Sequence, residues 1–103
     1  MTSSREKIAL LFDIYGNLLT EKQRESFGLY FDEDLSITEI AQESGISRAA
    51  VHDALKTAEK ALLDYERKLG LLEKKEKMEA GLAELKEDIP EAAKKIDKLI
   101  EQL

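Results

Sequence analysis

The sequence predicts an all-α protein, and three observations carry that expectation. Helix formers dominate 103 residues interrupted by one proline and five glycines. No stretch alternates apolar and polar residues long enough to argue a strand, whereas apolar residues recur at three- and four-residue intervals along most of the chain. Thr20, Ser36 and Ser47 each stand where a helix N-cap belongs, directly ahead of such a run.

The first helix is expected from about Ser4 to Leu19, with Ile8, Leu11, Phe12, Tyr15, Leu18 and Leu19 at helical spacing. Thr20 followed by Gln23 is a capping-box pair, in which each side chain satisfies an orphan amide of the next helix. That helix should end near Phe31, ahead of Asp32-Glu33-Asp34. Ser36 with Glu39 repeats the signal and opens a third helix, which Gly45 stops; Ser47 caps a fourth with no breaker before Gly70. Beyond it, Leu62, Leu69, Leu72, Leu82, Leu85 and Ile89 form a thin apolar stripe among mixed charges. Pro90 interrupts that segment and restarts it, since proline is tolerated in a first turn, and a last helix carries Ile96, Leu99, Ile100 and Leu103 on one side. The boundary falls near Leu69: a four-helix domain over residues 1–69, then an amphipathic tail over residues 70–103.

Residues 36–56 meet the steric demands of a helix-turn-helix. Its first helix needs a small residue where the second crosses, its turn needs a residue that accepts positive φ, and a branched apolar residue must anchor the second helix. Ala41, Gly45 and Val51 take those places, with Ile37, Ile40, Ile46 and Leu55 filling the shared core.

The wider stretch from Leu18 to Leu62 resembles region 4 of bacterial sigma factors, where an "LT..QR" helix precedes an acidic loop, an "EIA" helix, a "GIS" turn and a helix reading "V...L". The closer resemblance is to the YlxM-like family of small bacterial proteins, which share this domain and add a charged helical tail. It rests on Leu11-Phe12-Asp13, Leu19-Thr20, Gln23, Tyr30-Phe31, Leu35-Ser36, Glu39-Ile40-Ala41, Ser47-Arg48, Ala50-Val51, Asp53 and the "YE.KL" of Tyr65 to Leu69. The tail after Gly70 matches in character only. The resemblance implies a helix-turn-helix binding protein, a regulatory or accessory role in the signal recognition particle pathway, and the description DNA-binding that such proteins often carry.

Charge argues against plain duplex binding. The formal net charge is −6, and residues 1–66 hold 7 Lys+Arg against 13 Asp+Glu, while residues 67–103 hold nine of each. The excess negative charge thus lies in the half that contains the helix-turn-helix, the reverse of a DNA-binding footprint. With no cysteine and one histidine, neither a disulfide framework nor an ordinary catalytic zinc site can be built. Phosphate-binding glycine loops, nucleophile–base pairs and dinucleotide fingerprints are missing from the sequence, so a non-enzymatic protein without cofactor or metal is expected. The longest apolar run, Ile8 to Phe12, is too short to span a bilayer, and a cytoplasmic protein without membrane insertion is expected.

Three sets of contact residues follow. On the fourth helix Ser47, Arg48, Ala49, His52 and Lys56 would face a nucleic acid, DNA or the particle's RNA, although Ser47 is better explained as a cap and His52 as an ordinary exposed or half-buried side chain. Arg48 could take guanine with two hydrogen bonds; Asp53 and Glu43 would oppose phosphate. On the acidic side Asp32, Glu33, Asp34, Glu39 and Glu43 would meet a basic protein such as the particle's GTPase, an encounter that complementary charge would speed. Leu69, Leu72, Leu82, Leu85 and Ile89 would pair the tail with a second copy in a homo-oligomer, with Gly81 limiting the length of the pairing. DNA, RNA and protein all stay open as the direct ligand.

Overall fold

Ser4, whose hydroxyl accepts from the Lys7 amide at 3.2 Å, starts the first helix, α1 (Arg5–Tyr15), in the computed structural model, which describes residues 4–103. The helix stops four residues short of the expected end. Gly16 and Asn17, weak helix formers, pass into a 3₁₀ turn over Gly16–Leu18. The tighter turn shifts the register, so that Leu19 points inward while Leu18 is left exposed rather than on the buried face. The Tyr65 hydroxyl donates to the Leu18 carbonyl at 3.3 Å and holds the turn.

Both expected capping boxes form. Thr20 and Gln23 exchange side-chain and backbone hydrogen bonds of 3.1 Å each at the head of α2 (Glu21–Phe31). Ser36 and Glu39 do the same, at 3.1 and 3.0 Å, ahead of α3 (Ile37–Ser44). Gly45 then adopts φ 69°, ψ 30°, a left-handed conformation that opposes any side chain with a Cβ, and its amide closes on the Ala41 carbonyl at 3.0 Å. The long α4 (Arg48–Leu69) begins at Ser47, whose hydroxyl accepts from the Ala50 amide at 3.0 Å.

Along α4 the buried residues are Val51, Ala54, Ala58 and Leu62, spaced three or four apart on one face. Two of the four are alanines, which lets neighbouring backbones approach closely, and α1, α2 and α3 all pack against this helix. Ile8, Leu11, Tyr15, Leu19, Phe27, Ile40 and Ala41 join these α4 residues in the core of the unit Met1–Leu69.

Gly70, at φ 62°, ends α4 and marks the second unit, Gly70–Leu103. It consists of α5 (Leu71–Asp88), a 3₁₀ turn over Pro90–Ala92 and α6 (Ala93–Glu101), with α5 and α6 packed together. Pro90 therefore lies in the 3₁₀ turn ahead of α6 rather than in the first turn of α6 itself. Lys86 and Asp97 pair at 2.8 Å across the two helices. Among the described residues there are six α-helices and no strand; the protein is all-α, and no helix is long and apolar enough to cross a membrane.

Candidate nucleic-acid interface

The α3–turn–α4 segment has the packing that its spacing predicts. Ile40 and Val51 are fully buried, Ala41 nearly so, and Leu29, Tyr30, Leu35, Ile37, Ile46 and Leu55 pack around them. A second pin comes from α2: the Gln23 side-chain amide donates to the Thr57 hydroxyl at 3.3 Å, and that hydroxyl donates back to the Asp53 carbonyl at 2.9 Å. The first turns of α4 are thus held from two sides, and whatever they present outward is presented rigidly.

What they present is the predicted set. Ser47, Arg48, Ala49, His52 and Lys56 are all exposed. Arg48, His52 and Lys56 recur every fourth residue and so form one row along the helix. Ser47 is the helix cap, which accounts for that residue without any ligand. No ion pair among the described residues involves Arg48, Lys56 or Lys60. At the far end of the same helix the situation is reversed. Asp64 accepts from Arg67, and Lys68 lies 3.4 Å from it; these two hydrogen bonds hold the Asp64 carboxyl below the usual carboxylate range. The available positive charge of α4 is therefore concentrated in its first four turns.

The acidic set is less uniform than its composition suggests. Glu39 spends its carboxylate on the Ser36 amide, and that hydrogen bond, with a second from the Ser36 hydroxyl, lowers its pKa. Asp34, at φ 57°, lies 3.5 Å from the Arg5 guanidinium. Asp32 forms the C-cap of α2; it, Glu33 and Glu43 are exposed. Two of the five candidate carboxylates thus have partners inside the domain. Asp53 is exposed next to the basic row.

Of the tail residues, Leu85 and Ile89 are exposed and Leu82 is half-buried. Leu69, also exposed, is the last residue of α4. Leu72 is only 4% exposed and cannot belong to an outward stripe. Leu71 and Met78 are exposed instead. Leu71, Met78 and Leu85 are seven apart, and Leu82 and Ile89 each follow four residues after one of them. Within α5 this is the spacing of a heptad seam, with Lys75 at its one polar position, and Ile89 follows as the C-cap. The missed signal was Leu71: Leu71-Leu72 is a pair of equal residues, and only the register of α5 decides which of them faces out.

A further group escaped the sequence reading. Arg5, Ile8, Phe27, Tyr30, Phe31 and Ile37 line a cleft of about 460 Å³ whose other wall is His52, Leu55, Lys56 and Glu59 of α4. No sequence motif joins Arg5 to Lys56; α1 and α2 bring the wall to the basic row. Among the described residues no cluster of His, Asp and Glu could hold a metal ion.

A family model described as "Putative helix-turn-helix protein, YlxM / p13 like" matches residues 2–103. A UPF0122 protein of Clostridium botulinum is 45% identical over 94 residues, covering 91% of this chain and 86% of its own. A UPF0122 protein of Desulforamulus reducens is 51% identical over 79 residues, 77% of this chain and 68% of the other. One from Bacillus cereus is 40% identical across 100% of this chain and 99% of its own.

Proposed function

We propose that this chain, which belongs to the UPF0122 family of YlxM/p13-like helix-turn-helix proteins, is a nucleic-acid-binding regulatory protein that acts by binding rather than by turnover. One observation carries the reading: Arg48, His52 and Lys56 stand in an exposed row, with no ion pair to them among the described residues, on a helix fixed by the helix-turn-helix core. Their role is a short electrostatic and hydrogen-bonding contact. Arg48 supplies the fork that can read a guanine edge, and Lys56 supplies a point charge for phosphate.

The same geometry limits the affinity. With Arg48 and Lys56 as the only cations in the row, at most about two phosphates are neutralised, which gives a salt dependence of roughly −2 on a log–log plot for a duplex. That is far below the slope of a protein with a basic carpet, and the acidic remainder of the domain opposes long-range attraction. Direct docking of the acidic face on a basic protein is the weaker reading, because Glu39 is spent on a helix cap and Asp34 lies against Arg5.

The cellular setting of the proposal is an accessory role in the signal recognition particle pathway in the cytoplasm, with transcriptional regulation as the alternative; that setting is what the resemblance of the sequence to YlxM-like proteins implies. Association of two copies belongs to the same proposal. Leu71, Met78, Leu85 and Ile89, with the half-buried Leu82 among them, leave a two-helix unit with large apolar side chains in water, and amphipathic helices depend on having that face covered. The nearly balanced charge of residues 70–103, seven Lys against nine Asp+Glu, lets a second copy approach. Pairing would also give the protein two reading heads.

The test is co-purification of the tagged protein from its host, with bound nucleic acid sequenced and bound proteins identified, beside the Arg48→Ala variant. Particle RNA depleted by Arg48→Ala supports the reading. Promoter DNA alone supports the alternative setting. Recovery of the particle GTPase without nucleic acid, undiminished by Arg48→Ala, would overturn nucleic-acid binding.

A further inference from the structure

The cleft beside the basic row has a floor built for a flat ring. Phe27 stacks on Phe31 at 4.7 Å with 24° between the planes, while Phe12 meets Phe27 at 5.1 Å with its plane tilted by 53°. The Arg5 guanidinium lies 4.6 Å from the Phe31 centroid and 4.7 Å from that of Tyr30. A short column of planar groups thus runs outward from the buried Phe27 through Phe31 and ends on Arg5. Two hydrogen bonds, to the Tyr30 carbonyl at 3.3 Å and to Asp34 at 3.5 Å, orient the guanidinium, whose side chain is still 51% exposed. Across the cleft stand His52 and Lys56.

Resting on the nucleic-acid reading above, we infer that this cleft takes one unpaired nucleobase, stacked in line with the column at Arg5, with the adjoining phosphate held by Lys56 and His52. Planar cations and aromatic rings are the surfaces on which splayed-out bases stack, and stacking tolerates every base because each has a π face. The cleft's volume, about 460 Å³, is in the range of small-molecule sites. Charge decides between occupants. An apolar peptide would meet the Lys56 ammonium and the half-exposed Arg5 plane with nothing to match them, whereas a nucleotide joins a flat ring to an anion and uses both; Glu59 is the single carboxylate in the lining. A base-paired duplex keeps its bases in the stack and cannot fill the cleft. The acidic domain thereby gains at one position what it lacks in overall attraction, and it prefers nucleic acid with exposed bases.

The experiment uses the full chain and ten-nucleotide oligonucleotides of one sequence: single-stranded RNA, single-stranded DNA and the DNA duplex. A 2-aminopurine in the strand reports stacking. Wild type should bind a single strand in preference to the duplex and quench the reporter; preference for the RNA or the DNA strand names the source. Arg5→Ala should weaken single-strand binding about tenfold and abolish quenching, with duplex binding unchanged. Arg5→Lys keeps the charge and loses the plane, so it should lose quenching while retaining the salt dependence; it also serves if Arg5→Ala fails to fold. Equal affinity of wild type for strand and duplex overturns the inference, as does full quenching by both Arg5 variants. If those results appear while Arg48→Ala still weakens binding, the base site fails and the reading of α4 stands. Failure of wild type to bind any of the three probes defeats both.

Discussion

The Tyr15 hydroxyl donates a 2.7 Å hydrogen bond to the Glu66 carboxylate, closing α1 onto α4 across 51 positions of sequence. The Tyr15 ring is 1% exposed and lies 5.8 Å from that of Tyr65, so the bond sits at the end of the domain core opposite the reading face. Removing only the hydroxyl, as in Tyr15→Phe, leaves the ring packing intact. The loss should be about 1–2 kcal/mol. For a domain of this size that lowers the melting temperature by about 4–8 °C per kcal/mol, readable by calorimetry. An unchanged melting temperature would mean the bond adds nothing beyond what water supplies.

Val51 is fully buried between α3 and α4 and anchors the helix-turn-helix. Val51→Asp would place an unpaired carboxylate among Ile40, Ala41 and Ile46, at a cost of several kcal/mol. The domain should lose its cooperative thermal transition. A variant with wild-type helicity and melting temperature would refute this packing.

Glu39 makes a pH-dependent contribution. The Ser36 amide first, and the Ser36 hydroxyl second, hold its carboxyl below the ordinary 4.5. A carboxyl whose pKa falls on folding stabilises the folded chain above its unfolded-state value and loses that contribution as pH falls through the folded value. Glu39→Gln keeps a capping acceptor but no titrating group. Wild type should therefore be the more stable protein at neutral pH, and the difference should shrink as pH drops below about 4.5. Chemical denaturation at a series of pH values checks this; stability curves that stay parallel down to about pH 3 would contradict it.

Charge on the α5 seam should separate the copies. Met78→Glu with Leu85→Glu places carboxylates at exposed seam positions, where no side chain of the folded unit has to be displaced. Full-length wild type should sediment as a dimer, and the double variant as a monomer of unchanged helicity. A wild type that sediments as a monomer at high concentration would remove the assembly proposal.

What the sequence by itself determined was local. Thr20 with Gln23, Ser36 with Glu39, and Gly45 satisfy or release backbone groups within a few residues of themselves, so their spacing is enough to set where α2 and α3 start and where α3 stops. The exposed row of Arg48, His52 and Lys56 was legible for the same reason, since a helix of known start has known faces. Tertiary structure decided the rest. Whether Leu71 or Leu72 turns outward depends on how α5 lies in its unit, and two adjacent leucines carry no information about that. The early end of α1 depends on Leu19 being drawn into the core while Tyr65 holds the turn before it, from 47 residues away. The cleft has no sequence signature at all. Arg5 meets Tyr30 and Phe31, and faces Lys56, only because α1, α2 and α4 pack side by side, and burial of their apolar faces is a property of the whole domain.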